Sequence, residues 1–145
     1  MHVGEVHTAT PELLDALKRL VPELSASAAL PEMGALEALV RGESSRLLIV
    51  REPDESGPIV AMGTMGVYRT PTGVRAVIED VVVDTAFRGQ GFGEALMRRL
   101  LDLARDQGAR GVVLTSNPRR EAANRLYVRM GFRRRRTNIY FYSLV

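Results

Sequence analysis

The chain has 145 residues, 46% of them hydrophobic and 26% charged, with a formal net charge of +3 and no cysteine. That length and balance describe one globular domain able to bury a full core. The lack of cysteine excludes disulfides, thiolate metal sites and a cysteine nucleophile. Even the longer apolar runs are short, of the order of Val81-Val82-Val83, so no membrane-spanning helix is expected. The first ten residues have neither a basic stretch nor an apolar h-region, so a cytoplasmic protein is the expectation.

The charge is unevenly placed. Residues 1–80 carry 12 acids against 7 basic residues, and residues 81–145 carry 5 acids against 13. An anionic ligand would be steered to the C-terminal half. Lys18 is the single lysine, the other positive side chains being arginine.

In chain order, residues 2–8 read as a strand. Thr10 then serves as N-cap and Pro11 as the first residue of a helix over 11–24, with Leu13, Leu14, Leu17, Leu20 and Val21 at helical spacing. A second helix is predicted over 31–40, stopped by Gly42. Strands follow over 46–51, 58–68 and 74–83, the last two joined by a hairpin turn at 70–73. After Val83-Asp84 comes Arg88-Gly89-Gln90-Gly91-Phe92-Gly93, then an amphipathic helix ending at Gln107-Gly108 and a strand over 111–116. A crossover of this kind makes the two flanking strands parallel. A further helix spans about 120–130 with Gly131 as its stop. The tail alternates as a last strand, with Ile139, Phe141 and Leu144 facing inward. The expected architecture is α/β, a mixed, mainly antiparallel central sheet flanked by helices on both faces.

Gly89, Gly91 and Gly93 sit between a strand and a helix. Two readings stand side by side: a tight turn needing positive φ, or backbone amides that approach an anion at the positive end of a helix. It is no Walker loop, because Phe92-Gly93-Glu94 stands where Gly-Lys-Ser/Thr is required. It is no dinucleotide fingerprint either, since Glu94 replaces its third glycine.

The loop resembles the pyrophosphate loop of the GNAT superfamily of N-acetyltransferases, Arg/Gln-x-x-Gly-x-Gly/Ala. Leu126-Tyr127 followed by Gly131-Phe132 is similar to that family's second signature, and the element order matches over nearly the whole chain. The resemblance implies a single acetyl-CoA-dependent N-acetyltransferase domain over 1–145, with direct transfer to an acceptor amine. By the same resemblance, backbone at Val81 and Val83 would hold the pantetheine arm, and amides of Arg88, Gly89, Gln90, Gly91, Phe92 and Gly93 the pyrophosphate. Tyr127 would be the general acid, returning a proton to the leaving sulfur; its plainer reading is a core aromatic.

Glu79 and Asp80, adjacent on a strand, point to opposite sides of a regular pleat, so one faces the acceptor. The run Ile78-Glu79-Asp80-Val81-Val82-Val83 is similar to that of the glucosamine-phosphate acetyltransferases, which implies Glu79 as base and Asp80 as second choice. A bulge here would disturb that alternation. Relatives often carry asparagine seven or four residues before the tyrosine. Here Arg120 and Ala123 stand there, leaving Asn117, Arg120 and Asn124 as candidate coenzyme contacts.

Arginines 133–136 read as a solvated face or as a nucleic-acid patch, the latter disfavoured because no aromatic platform is interleaved with them. Two rival functions follow: an RNA- or ribosome-associated module acetylating a basic partner, and a non-catalytic CoA-binding protein. His2 and His7 have no companion at metal-ligand spacing, so no metal is expected. The acidic N-terminal half favours a cationic amine acceptor, small or a lysine or N-terminal amine. No membrane partner is expected, and the tail strand over 138–142 would suit a homodimer interface.

Overall fold

A computed structural model of the protein describes residues 1–145. The chain divides into two units, Met1–Thr115 and Ser116–Val145. In the first, β1 (His2–Glu5), β2 (Ser45–Arg51), β3 (Ile59–Thr70), β4 (Gly73–Val83) and β5 (Val112–Leu114) form one sheet in that order. Neighbours are antiparallel except β4 and β5, which are parallel. The mixed, mainly antiparallel sheet is the one expected.

Helix α1 (Pro11–Leu24) begins where the Thr10 side chain accepts the Leu13 amide at 3.1 Å, with Pro11 in the first turn where its missing N–H costs nothing. Its buried stripe is Leu13, Ala16, Leu17 and Leu20. Lys18 lies on the exposed flank. Helix α2 (Met33–Arg41) adds Leu36 and stops at Gly42 as expected. Both pack on Leu47, Ile59, Met62 and Val82 of the sheet.

Helix α3 (Phe92–Asp106) covers the opposite face, and Gly63 is the reason it lies so close. A Cβ on Gly63 would stand 3.1 Å from Leu100 Cδ1 and 3.3 Å from both Leu96 Cδ2 and Val81 Cγ2. Met62 and Gly63 are consecutive on β3, so their opposite directions put α1 and α2 on one face and α3 on the other.

Three polar ties fasten α1 to strand ends. Glu12 takes two hydrogen bonds from Arg51, at 2.7 and 3.0 Å. Arg19 pairs with Asp84 and donates to the Ile59 carbonyl at 2.6 Å. Glu23 accepts from the Thr85 amide at 3.1 Å and from Arg88 at 3.0 Å. Partly exposed pairs of this kind contribute about 1 kcal/mol or less each, so they orient the helix while the apolar stripe holds it.

The second unit contains α4 (Glu121–Arg129). The expected final strand is not formed: the sheet ends at β5, and residues 133–145 have no regular secondary structure. Ile139, Phe141 and Leu144, expected on an inner face, are exposed at 72%, 90% and 91%. Alternation makes a segment competent to be a strand, but the ladder needs a neighbour to take its amides and carbonyls. No helix is long and apolar enough to cross a membrane.

The Gly63 contact is open to a coupling test. Gly63→Val should cost about 1–3 kcal/mol by overpacking, and Leu100→Ala about 2–5 kcal/mol by cavity formation. In urea denaturation the double variant should lose less than the sum of the two, by about 1 kcal/mol. Simple additivity would show that α3 does not press on this glycine.

Candidate active site

Strand β4 supplies the acidic pair, and its register decides where the carboxylates go. Val82 lies opposite Met62 and Glu79 opposite Thr64, so Asp80 and Val81 together face Gly63 alone. This is a β-bulge, with Asp80 at φ +53 in the left-handed region that non-glycine residues rarely enter. The bulge breaks simple alternation between Glu79 and Asp80. Glu79, paired with Thr64 and through it aligned with Leu47 of β2, emerges on the α1/α2 face. Val82 lies on that same face although it is three residues further on. Both acids are exposed.

The same strand has an open flank. β5 follows β4 only from Ala76 to Ile78, where Leu114 is its last partner, while β4 runs on to Val83. The Asp84 amide donates across to Val60 O of β3 at 2.8 Å. Strand alternation therefore turns the peptide groups of Val81 and Val83 the other way, toward the flank that β5 has left. These are the two residues the sequence reading selects for a ligand's amide arm.

Beyond β4, Asp84 Oδ1 accepts the Ala86 amide at 2.9 Å and caps a 3-10 turn over Thr85–Phe87. Gly89 at φ +75 and Gly91 at φ +88 then carry the chain into α3 through open space, with nothing near where a Cβ would sit. Gly91 is the N-cap residue, and the first amides of α3 have no carbonyl one turn back to receive them. Gln90 is exposed beside them. Phe92 is buried, edge-on to Phe87 at 6.0 Å, so it anchors the loop and offers a ligand only main chain. Gly93 lies inside the first turn of α3.

Arg88 takes a position no spacing rule foretells. Its Nε donates to Val83 O at 3.0 Å and its guanidinium pairs with Glu23 at 3.0 Å. The side chain thus folds back over the end of β4 toward α1. Glu23 is the partner of this loop that sequence reasoning missed, because a lone acid in the last turn of a helix belongs to no motif.

In the second unit, the Asn117 side chain accepts the Arg119 amide at 2.9 Å. The Asn117 carbonyl takes the Arg120 amide and the Asn124 side chain, each at 3.0 Å. Asn117, Arg120 and Asn124 therefore gather at the start of α4, where both asparagines support the helix. At its other end, the Phe132 amide donates to Tyr127 O at 2.9 Å and the Gly131 amide to Val128 O at 3.1 Å, with Gly131 at φ +97. That is a Schellman motif, completed by the Phe132 ring 5.8 Å from the Tyr127 ring. The spacing Tyr-x-x-x-Gly-Phe is thus a helix stop that braces a tyrosine. Tyr127 is buried, and burial pushes its phenol pKa up, with the Arg120 charge acting the opposite way.

The chain matches the Acetyltransferase (GNAT) family over residues 11–132. It is 34% identical over 125 residues to glucosamine 6-phosphate N-acetyltransferase 1 of Oryza sativa subsp. japonica, covering 79% of this chain and 76% of that one. The protein belongs to the GNAT family. With N-acetyltransferase 8B of Rattus norvegicus it shares 37% identity over 94 residues, 63% of this chain and 41% of that one. Among solved structures, an aminoglycoside acetyltransferase from an uncultured soil metagenomic sample superimposes with a TM-score of 0.84 at 17% identity, covering 99% of this chain and 95% of that one. Glucosamine-6-phosphate N-acetyltransferase from Arabidopsis thaliana gives 0.78 at 21% identity, covering 98% and 99%. At such identities these two likenesses are evidence for the fold. As a GNAT protein, this chain is an acetyl-CoA-dependent N-acetyltransferase.

Two measurements check this geometry. Asp80→Gly should be more stable than Asp80→Val by about 1–2 kcal/mol or more, since only glycine adopts the left-handed backbone freely; equal stability in urea would mean the bulge is absent. For Tyr127, a phenol pKa raised by folding makes the unfolded chain release that proton first. Stability should then fall as pH rises through about 10, the unfolded value. Tyr127→Phe removes that component, so its urea midpoint should drop less between about pH 9 and about pH 11. Equal drops would show that the phenol is not buried.

Proposed function

We propose that this chain moves the acetyl group of acetyl-CoA directly to the primary amine of a small cationic acceptor, with amino sugars the first class to try. The single observation that carries the reading is β4 itself. One strand presents Glu79 on the α1/α2 face and, a bulge later, turns the peptide groups of Val81 and Val83 to the flank beyond Ile78. A strand of this form serves an acceptor and a donor together. Amino sugars lead because relatives named for glucosamine 6-phosphate match most of this chain.

Val81 and Val83 would bind the donor's amide arm by main-chain hydrogen bonds, as an added strand does. The loop from Arg88 to Gly93 would take the pyrophosphate on its amides at the positive end of α3. Arg88, and among Asn117, Arg120 and Asn124 chiefly the arginine, would add side-chain contacts, since guanidinium suits phosphate geometry.

Glu79 is the base and Asp80 the second candidate. The carboxylate accepts, directly or through water, the ammonium proton whose loss frees the lone pair; that lone pair forms the new C–N bond as the C–S bond breaks, and the nitrogen's second proton leaves as the amide forms, replacing the one the sulfur takes up. The Tyr127 phenol donates its proton to the departing sulfur, leaving an amide and a free thiol. A thiol of pKa about 8.5 facing a phenol of about 10 makes full transfer uphill by about 2 kcal/mol. Burial of Tyr127 widens that gap, so the phenol acts chiefly by hydrogen bonding the sulfur as charge develops there.

Calorimetric titration with acetyl-CoA, against ATP and NAD as controls, followed by an amine panel read by thiol release, tests the whole. Tyr127→Phe should keep donor affinity and lower turnover about 10²-fold or more. Gly91→Asp should weaken donor binding by crowding and by charge. Unchanged turnover would remove Tyr127 from the reaction, and unchanged affinity would remove the loop.

A further inference from the structure

Glu23 lies in the last turn of α1, at the negative end of that helix, where the helix dipole disfavours a carboxylate. Its Oε2 accepts from the Thr85 amide at 3.1 Å, from the Thr85 hydroxyl at 3.0 Å and from the Arg88 guanidinium at 3.0 Å. An amide, a hydroxyl and a guanidinium converging on one oxygen are the donors that phosphate oxygens also take. Glu23 is thus an anion of the chain's own, set against the residue that opens the glycine loop.

Arg88 is the residue it holds. The Nε of Arg88 donates to Val83 O at 3.0 Å, so the side chain lies on the flank of β4 that β5 has left. A ligand that pairs with β4 as an added strand needs that carbonyl as an acceptor. The guanidinium stands where the ligand's amide would approach. The hold is a weak one, because 53% of the Arg88 side chain and 24% of the Glu23 side chain are exposed. A pyrophosphate on the loop would bring more charge to Arg88 than one carboxylate does, and guanidinium suits its geometry. Side-chain torsions alone can redirect Arg88, whose backbone is ordinarily extended at φ −67 and ψ 155.

We infer that Arg88, parked on Val83 O by Glu23, makes the donor site selective for thioesters that carry a phosphate-rich head; the inference rests on the donor site proposed above. The head's pyrophosphate draws the guanidinium away from Glu23 and Val83 O, and the acetyl-bearing arm then gains its full pairing along β4. A thioester with the arm and no phosphate has nothing to offer the guanidinium and binds against it. Glu23 touches no reacting atom and acts through Arg88, so it is a positioning residue.

Three ligands separate these roles: acetyl-CoA, S-acetylpantetheine as the uncharged arm alone, and ADP as a pyrophosphate without the arm. Each would be titrated into wild type, Arg88→Ala and Glu23→Gln, followed by amide chemical shifts so that millimolar affinities are read. Glutamine can still accept from Thr85 but lacks the charge that holds Arg88. Arg88→Ala should bind S-acetylpantetheine about threefold tighter or more and ADP about threefold weaker or more. Glu23→Gln should bind both about twofold tighter, since it loosens the guanidinium from the flank and leaves it for phosphate. A merely structural role for Arg88 would move both ligands in one direction, and simple charge repulsion would not touch the neutral arm. S-acetylpantetheine binding no tighter in Arg88→Ala, or ADP binding no weaker, would overturn the selector, and acetyl-CoA binding to wild type would still leave the donor site standing. Acetyl-CoA failing to bind all three proteins would remove the donor site and the selector together.

Discussion

Beyond Ile78, strand β4 is held in the sheet by one edge alone, and the rest of the first unit is arranged around that fact. The antiparallel ladder with β3 is the strand's only sheet pairing there, Arg88 Nε donates to Val83 O on the other side, and Gly63 lets α3 press from behind on Val81 with Leu96 and Leu100. The Asp80 bulge adds a residue to β4 where β3 has only Gly63, a local strain of about 1–2 kcal/mol. What the bulge gains is geometry: Glu79 keeps to the α1/α2 face while the next stretch still offers its peptide groups outward. From there Asp84, the 3-10 turn and two left-handed glycines deliver the chain to the start of α3. Strand end, loop and helix N-terminus thus follow one another directly along the chain, with the Arg88 side chain folded onto Val83 O between them.

Much of this was legible because the decisive residues have few conformational alternatives. Gly89 and Gly91 announced positive φ, and the structure has it. Gly42 and Gly131 announced helix stops, and both helices end there. Thr10-Pro11 announced the start of α1. The bulge was legible only as a disturbance to be allowed for, since aspartate tolerates the left-handed region better than most residues but a lone one inside a strand does not announce it. The tie of Glu23 to Arg88 spans 65 residues and has no local signal at all. The tail misled for a different reason. Residues 133–145 alternate as a strand should, but alternation describes a side-chain pattern, and a strand is completed by a neighbour's backbone.

The Schellman stop of α4 explains why tyrosine, glycine and phenylalanine travel together in this chain. Gly131 is required by its left-handed turn, the turn brings the Phe132 amide back to the Tyr127 carbonyl, and the Phe132 ring then lies against the Tyr127 ring. A side chain braced in this way loses little further entropy when it is asked to hold one orientation. The packing that raises its pKa and the packing that orients it are one arrangement.

The scarcity of lysine has a chemical meaning in a protein that handles an activated thioester. Only a neutral amine attacks such an acyl group, and a chain rich in lysine would steadily modify itself at its own working concentration of donor. Here the one lysine target is Lys18, exposed on α1. Arginine supplies the remaining positive charge and, with its guanidinium protonated at every physiological pH, is inert to acylation. Apart from Lys18, the surface that would attract the donor's phosphates is therefore one the donor leaves unchanged.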